Sequence, residues 1–130
     1  PEGRAEIHEN LGFDTKMLRA LLRQEVHEQS AAYADNRLSL FCAQYGKCAV
    51  TGQVFESLGD IHCHHKLPKN RGGRDNYQNL IIVRESVHIL IHATSESTIA
   101  KHLSELSLNK RQLAKLNKLR KEAGNPPVSA

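Results

Sequence analysis

Apolar residues recur at helical spacing towards both ends of the chain and in short β-like runs at its centre. Met17, Leu18, Leu21 and Leu22 share one helical face, which predicts a helix from about Asp14 to Gln24 with Asp14 as its cap. Ser30 to Asn36 reads as a connection. A second helix is expected from about Arg37 to Tyr45, burying Leu38, Leu40, Phe41 and Tyr45, with Gly46 suited to end it. The pattern then changes. Cys48 to Gly52 reads as a short strand and turn, and Asp60 to Leu67 as an extended segment that Pro68 ends. Residues 69–79 are dense in turn formers and charge, as in an exposed loop. Leu80 to Val83 is an apolar, β-branched run and predicts a strand, and Glu85 to Ala93 predicts a helix directly after it.

The last third reads as helical. Ser95 is placed to cap a helix carrying Ile99, Leu103 and Leu106. Asn109 is placed to cap the next, with Gln112 to reciprocate and Leu108 and Leu113 as a hydrophobic staple. Gly124, Pro126 and Pro127 stop it. The elements predict an α+β domain: a central strand–loop–strand–helix unit flanked by N-terminal and C-terminal helices. The expected division is residues 1–35 as a connecting or DNA-binding segment with one helix, 36–94 as the core unit and 95–124 as a basic helical extension. No internal repeat is present.

Composition adds modest constraints. A chain of 130 residues is one domain by length. The net charge of +4 leans towards a polyanionic partner. The excess is uneven: between Asn109 and Lys121 stand Lys110, Arg111, Lys115, Lys118, Arg120 and Lys121 with no acid among them. That helix is expected either to contact phosphates or to be a solvated face whose Leu113, Leu116 and Leu119 pack inward, and both can hold at once. Three cysteines, Cys42, Cys48 and Cys63, are too few and too irregular for a disulfide framework, which favours a reducing, cytoplasmic setting. No apolar run approaches the roughly 20 residues needed to cross a bilayer, so no membrane partner is expected. The opening on Pro1, without Met, reads as a piece of something longer.

The candidate chemistry is carried by histidine. His88 and His92 stand four apart on one expected helix, so their imidazoles project from one face a turn apart, a geometry that suits two ligands of one metal. His64 and His65 lie on the strand whose successor leads into that helix. Adjacent strand residues point to opposite faces, so one should reach a metal while the other is aimed elsewhere. Tyr33-Ala34-Asp35-Asn36 is similar to the acidic signature of a polymerase palm, but it lacks the second carboxylate and is read as structural.

His64-His65, Asn79 fourteen residues after His65, His88 nine further and His92 four beyond that resemble the ββα-metal motif of HNH endonucleases, with the loop Gly72–Tyr77 placed before the Asn as in that family. The resemblance implies that His64, His88 and His92 hold one divalent cation and that His65 is the general base. It implies that Asn79 constrains the loop and helps to orient His65. The expected reaction is hydrolysis of a DNA phosphodiester to a 5′-phosphate and a 3′-hydroxyl. A cation suits the charge that develops on phosphorus, and an imidazole suits a base working near neutrality. Mg2+ or Mn2+ is the expected ion in a cell, while three imidazoles also suit Zn2+ or Ni2+.

A narrower resemblance covers nearly the whole chain. The segments Glu2–His8, Tyr33–Leu40, Cys48–Gly52, Ile61–Lys66 and Leu90–Thr94 are similar to the C-terminal region of bacterial group II intron-encoded reverse transcriptase/maturases. This implies a domain that nicks double-stranded DNA to prime reverse transcription, with intron RNA as a partner of the parent protein and an activity at the nucleoid. Many intron-encoded HNH domains also carry Cys-x-x-Cys pairs on a structural zinc. Here Thr51 stands three after Cys48 and Val87 precedes His88, so that zinc is expected to be lost and Cys48 and Cys63 to be small buried cysteines. Lys69, Arg71, Arg74 and Arg84, near Asn79, are the expected backbone contacts, together with Lys110, Arg111 and Lys115. His62 shares a strand face with His64 and reads as an ordinary surface histidine or as a neighbour of the ligands. His8, His27 and His102 carry no assignment. The rival reading is a non-catalytic zinc module that only binds nucleic acid, drawing on His62, His64, His88, His92, Cys48 and Cys63. His65 discriminates the two, since a structural zinc site has no use for it.

Overall fold

The computed structural model describes residues 15–24 and 29–129. The first helix, α1, spans Thr15–Arg23, and its expected cap, Asp14, lies outside the described residues. Helix α2 spans Ala31–Ala43. It begins well before the expected Arg37, because the Ser30 hydroxyl accepts the Tyr33 N–H at 2.9 Å and Ala31, Ala32 and Ala34 favour helix. The segment expected as a connection is thus the first two turns of a helix, and it crosses the expected division at residue 35. The other end closes earlier than expected. Tyr45 takes a left-handed φ of 57°, and the Gly46 N–H returns to the Phe41 carbonyl at 2.9 Å. Tyr45 is therefore exposed rather than buried. Arg37, buried on α2, donates to the Leu21 carbonyl and Gln24 side chain and so ties α1 to α2.

The expected strand at Cys48–Gly52 is only an isolated bridge, Lys47 with Val54, around a tight turn. The real sheet has two antiparallel strands, β1 (Ile61–His65) and β2 (Leu80–Arg84), with His65 opposite Leu80 and Ile61 opposite Arg84. A two-stranded sheet leaves a free edge. Here the Gln44 side chain covers it, accepting from the Ile82 N–H at 3.0 Å and donating to the Ile82 carbonyl at 2.8 Å, where Ala49 N–H also lands.

Helix α3 (Glu85–His92) follows β2 without an intervening residue, and the Asp60 carboxylate accepts the Glu85 N–H at its start. Helices α4 (Glu96–Leu106) and α5 (Lys110–Glu122) complete the described chain. The capping box of Asn109 and Gln112 forms in full, whereas the Ser95 side chain makes no cap bond and pairs with Ser97. Val87, Leu90 and Ile91 of α3 are buried with Leu116 and Leu119 of α5 and with Ile82 and Val83 of β2. That burial fixes which face of α3 is left for His88 and His92. The described chain is thus a mixed α+β structure of five α-helices and one two-stranded sheet. No helix among the described residues is long and apolar enough to cross a membrane.

Candidate metal centre

The sheet register and the immediate β2–α3 junction bring His64 onto the exposed stripe of α3. The ligand nitrogens of His64, His88 and His92 all lie within 4.8 Å of one another. Their rings meet edge to face, with centroids 5.3 Å apart for His64–His88, 5.1 Å for His64–His92 and 4.9 Å for His88–His92. His64 is 2% exposed, and its Nε2 is buried with no hydrogen-bond partner. Burial, reinforced by the neighbouring His88 and His92, pushes the His64 imidazole down to about 3. Burial, then His92 and His62, lowers His88 to about 4, and burial lowers His92. Lowered in this way, the three imidazoles stay neutral at physiological pH, with their ligand nitrogens grouped together.

A buried nitrogen left without a partner is costly. A divalent cation held by His64, His88 and His92 would give such a nitrogen a partner. Three imidazoles are a borderline donor set, of the kind that suits Zn2+ or Ni2+ more than hard, oxygen-seeking Mg2+. Among the described residues this is the only group of histidines, cysteines or acids so arranged. Cys48 takes no part. It is buried in the 48–52 turn, and its Sγ accepts the N–H groups of Thr51 and Arg84. Cys63 is only partly buried, and all three cysteines are free. Val87, the residue before His88, is wholly buried in the core.

His65 points to a different task, as strand alternation requires. It lines the same cleft as the three histidines, with a volume of about 400 Å3, yet it stands outside their cluster. Its Nε2 lies 2.7 Å from Asp75 Oδ1, and its ring stacks on Tyr33 at 5.6 Å with a 16° interplanar angle. The other Asp75 oxygen accepts the Ser30 hydroxyl at 2.7 Å, and Lys69 Nζ stands 3.4 Å from Oδ1. The bonds from Ser30 and His65 hold the Asp75 carboxyl below the usual carboxylate range. Sequence reasoning missed Asp75, Ser30 and Tyr33. The one available signal was an acid in the loop between His65 and Asn79.

The Asn79 side chain makes no hydrogen bond to His65. It bonds the Leu67 N–H at 2.8 Å, the Leu67 carbonyl at 3.1 Å and the Arg74 carbonyl at 2.9 Å, so it staples the two ends of the loop together. Gly73 sits where that loop folds back on itself: a Cβ there would overlap the backbone carbonyl of Leu67. His62 is more than a surface residue, since it stacks on His88 at 5.1 Å and is half-buried.

The expected basic residues are spread over the loop, β2 and α5. Lys69 lines the cleft and Arg74 is exposed on the loop. The Arg71 guanidinium instead lies over Gly124, filling the space a side chain would take there. Arg84 is at the far end of the ladder from His65, engaged with Asp60 at 3.6 Å and with Gln53. Lys110, Arg111 and Lys115 are exposed on α5. Lys110 opens that helix, roughly 20 Å from the end where Arg71 packs. No protein-family model matches the chain, and the comparisons with curated proteins and with solved structures likewise return no match.

Proposed function

We propose that this chain is a metal-dependent DNA endonuclease domain of the HNH type, and that β1, the 66–79 loop, β2 and α3 are its ββα-metal unit. One observation carries the reading: three neutral imidazoles cluster within reach of one ion, and a fourth histidine held by a carboxylate opens into the same cleft. His64, His88 and His92 would hold the ion. When bound, a divalent cation supplies positive charge to the scissile phosphate and its leaving oxygen. His65 takes the proton from the attacking water. Asn79 keeps the loop folded so that His65 faces the cleft, and Lys69 and Arg74 attract the phosphate backbone.

The narrower part of the proposal is that the domain belongs at the C-terminal end of a group II intron-encoded reverse transcriptase/maturase. There it would nick one DNA strand to supply a primer, and the parent protein would engage the intron RNA. The ion is proposed to be Mg2+ or Mn2+ in the cell, with Zn2+ and Ni2+ also accepted by the imidazole set. That soft-leaning set also favours a second reading, a zinc-binding module without catalysis.

A plasmid-nicking assay across Mg2+, Mn2+, Ni2+ and Zn2+ separates the two. His65→Ala should keep the fold and the metal affinity but lose nicking. His88→Ala should lose both. Wild-type activity in His65→Ala defeats the assignment of the base, and an inert wild type across all four metals favours the zinc module.

A further inference from the structure

We propose that Asp75 is the positioning residue of this site: it accepts a hydrogen bond from His65 Nε2–H and thereby fixes the tautomer whose basic nitrogen is Nδ1. The inference rests on the nuclease reading only for the use to which Nδ1 is put. The assignment of the proton follows from the chemistry of the pair. An ionised carboxylate only accepts hydrogen bonds, so the ring nitrogen 2.7 Å from Asp75 Oδ1 must carry hydrogen. In a neutral imidazole the other nitrogen then holds the lone pair. His65 Nδ1 makes no hydrogen bond among the described residues, and the ring lines the cleft that holds the three converging histidines.

Asp75 is itself held from several sides, which separates a designed contact from a chance surface pair. Its side chain is 14% exposed although it sits in a loop. Ser30 donates to Oδ2, the Lys69 ammonium stands beside Oδ1, and Asn36 Nδ2 donates to the Asp75 backbone carbonyl at 2.8 Å. Tyr33 closes the face of the His65 ring, and its hydroxyl donates to the Cys63 carbonyl at 3.4 Å on the same strand. Ser30, Tyr33 and Asn36 are the N-cap and the first turns of α2. The Tyr33–Asn36 segment is therefore a clamp on the base and its partner. Ser30 serves twice, capping the helix through the Tyr33 N–H and orienting Asp75.

The test is the protonation pattern of His65 in the zinc-loaded, full-length chain, read from two-bond proton–nitrogen correlations of 15N-histidine-labelled protein and assigned with His65→Ala. The wild type should show His65 protonated on Nε2. Asp75→Ala should show a mixture of tautomers, with zinc affinity unchanged. In the nicking assay the same variant should lower kcat on the order of a hundredfold with KM little moved, because orientation of a base acts on the chemical step.

The wild-type spectrum decides without Asp75→Ala having to fold. His65 protonated on Nδ1 overturns the inference, and so does a spectrum that Asp75→Ala leaves unaltered. A protein that shows the lock and its loss in Asp75→Ala, but cleaves nothing, overturns the nuclease reading and leaves the placement of Asp75 intact.

Discussion

Arg120 stands in the basic run of α5, yet it is 1% exposed. Its guanidinium donates to the carbonyls of Leu90, Ala93 (2.8 Å) and Pro126 (2.8 Å). Two of these lie in the last turn of α3 or just past it, where helix carbonyls have no partner of their own. Asn125 takes the Ile91 carbonyl at 2.7 Å, so the tail and α5 together cap the helix that carries His88 and His92. Replacing Arg120 by Met keeps most of the apolar stem and leaves three carbonyls without their donor, Leu90 in the core and Ala93 and Pro126 at its edge.

Each charge-assisted bond is worth about 1.5–3 kcal/mol, and an orphaned acceptor about 1–3 kcal/mol. Met escapes the desolvation of the guanidinium, which offsets part of this. The net loss should be about 2–4 kcal/mol, a sizeable share of the roughly 5–15 kcal/mol typical of a domain. Urea unfolding followed by circular dichroism measures it, with Lys118→Met on the same helix as an exposed control expected within about 0.5 kcal/mol. Arg120→Lys should fall between them, because an ammonium cannot present the planar fork. Zinc affinity should fall with Arg120→Met, since His92 stands in the turn that loses its cap. A loss under about 1 kcal/mol would refute the reasoning: water or a small shift would then be serving those carbonyls.

Two further outcomes follow from the site. Burial and mutual proximity hold His64 near 3 and His88 near 4, against 6.5 for a free imidazole, so below pH 6.5 the unfolded chain takes up protons that the native state refuses. Stability from these groups is complete above 6.5 and drains away as pH falls towards 4 and 3. The metal-free urea midpoint should hold steady between about pH 7 and 8 and drop by about pH 5, and a midpoint that rises on acidification contradicts the burial of neutral histidines. Gly73→Ala places a methyl against the Leu67 carbonyl. It should displace the loop at a cost of about 1–3 kcal/mol and reduce nicking more than it reduces metal affinity, as parallel titration and plasmid assays would show.

Much of the framework was legible in the sequence because it is local. The period of apolar residues gave β2 and α3 nearly to the residue, and the four-residue spacing of His88 and His92 placed them on one face. The Asn109–Gln112 capping box is chemistry within a single turn and formed as expected. His64 and His65 diverged as strand alternation requires. Where local signals competed, the reading slipped. Ser30 to Asn36 carries both turn formers and helix-favouring alanines, and the bond from Ser30 to the Tyr33 N–H resolved it as helix.

What only the tertiary structure decided are the contacts between residues far apart in the chain. Ser30 reaches Asp75 across 45 residues and Asp75 reaches His65 across 10, because α2 packs beside the loop; neither residue type announces such a partner. Arg120 and Lys118 are alike in sequence, but the end of α3 lies over one of them and water over the other. Period and propensity fix which elements form. The path of the loop and the packing of α5 under α3 fix which polar groups meet, and those meetings set the tautomer of His65 and the capping of the helix that carries His88 and His92.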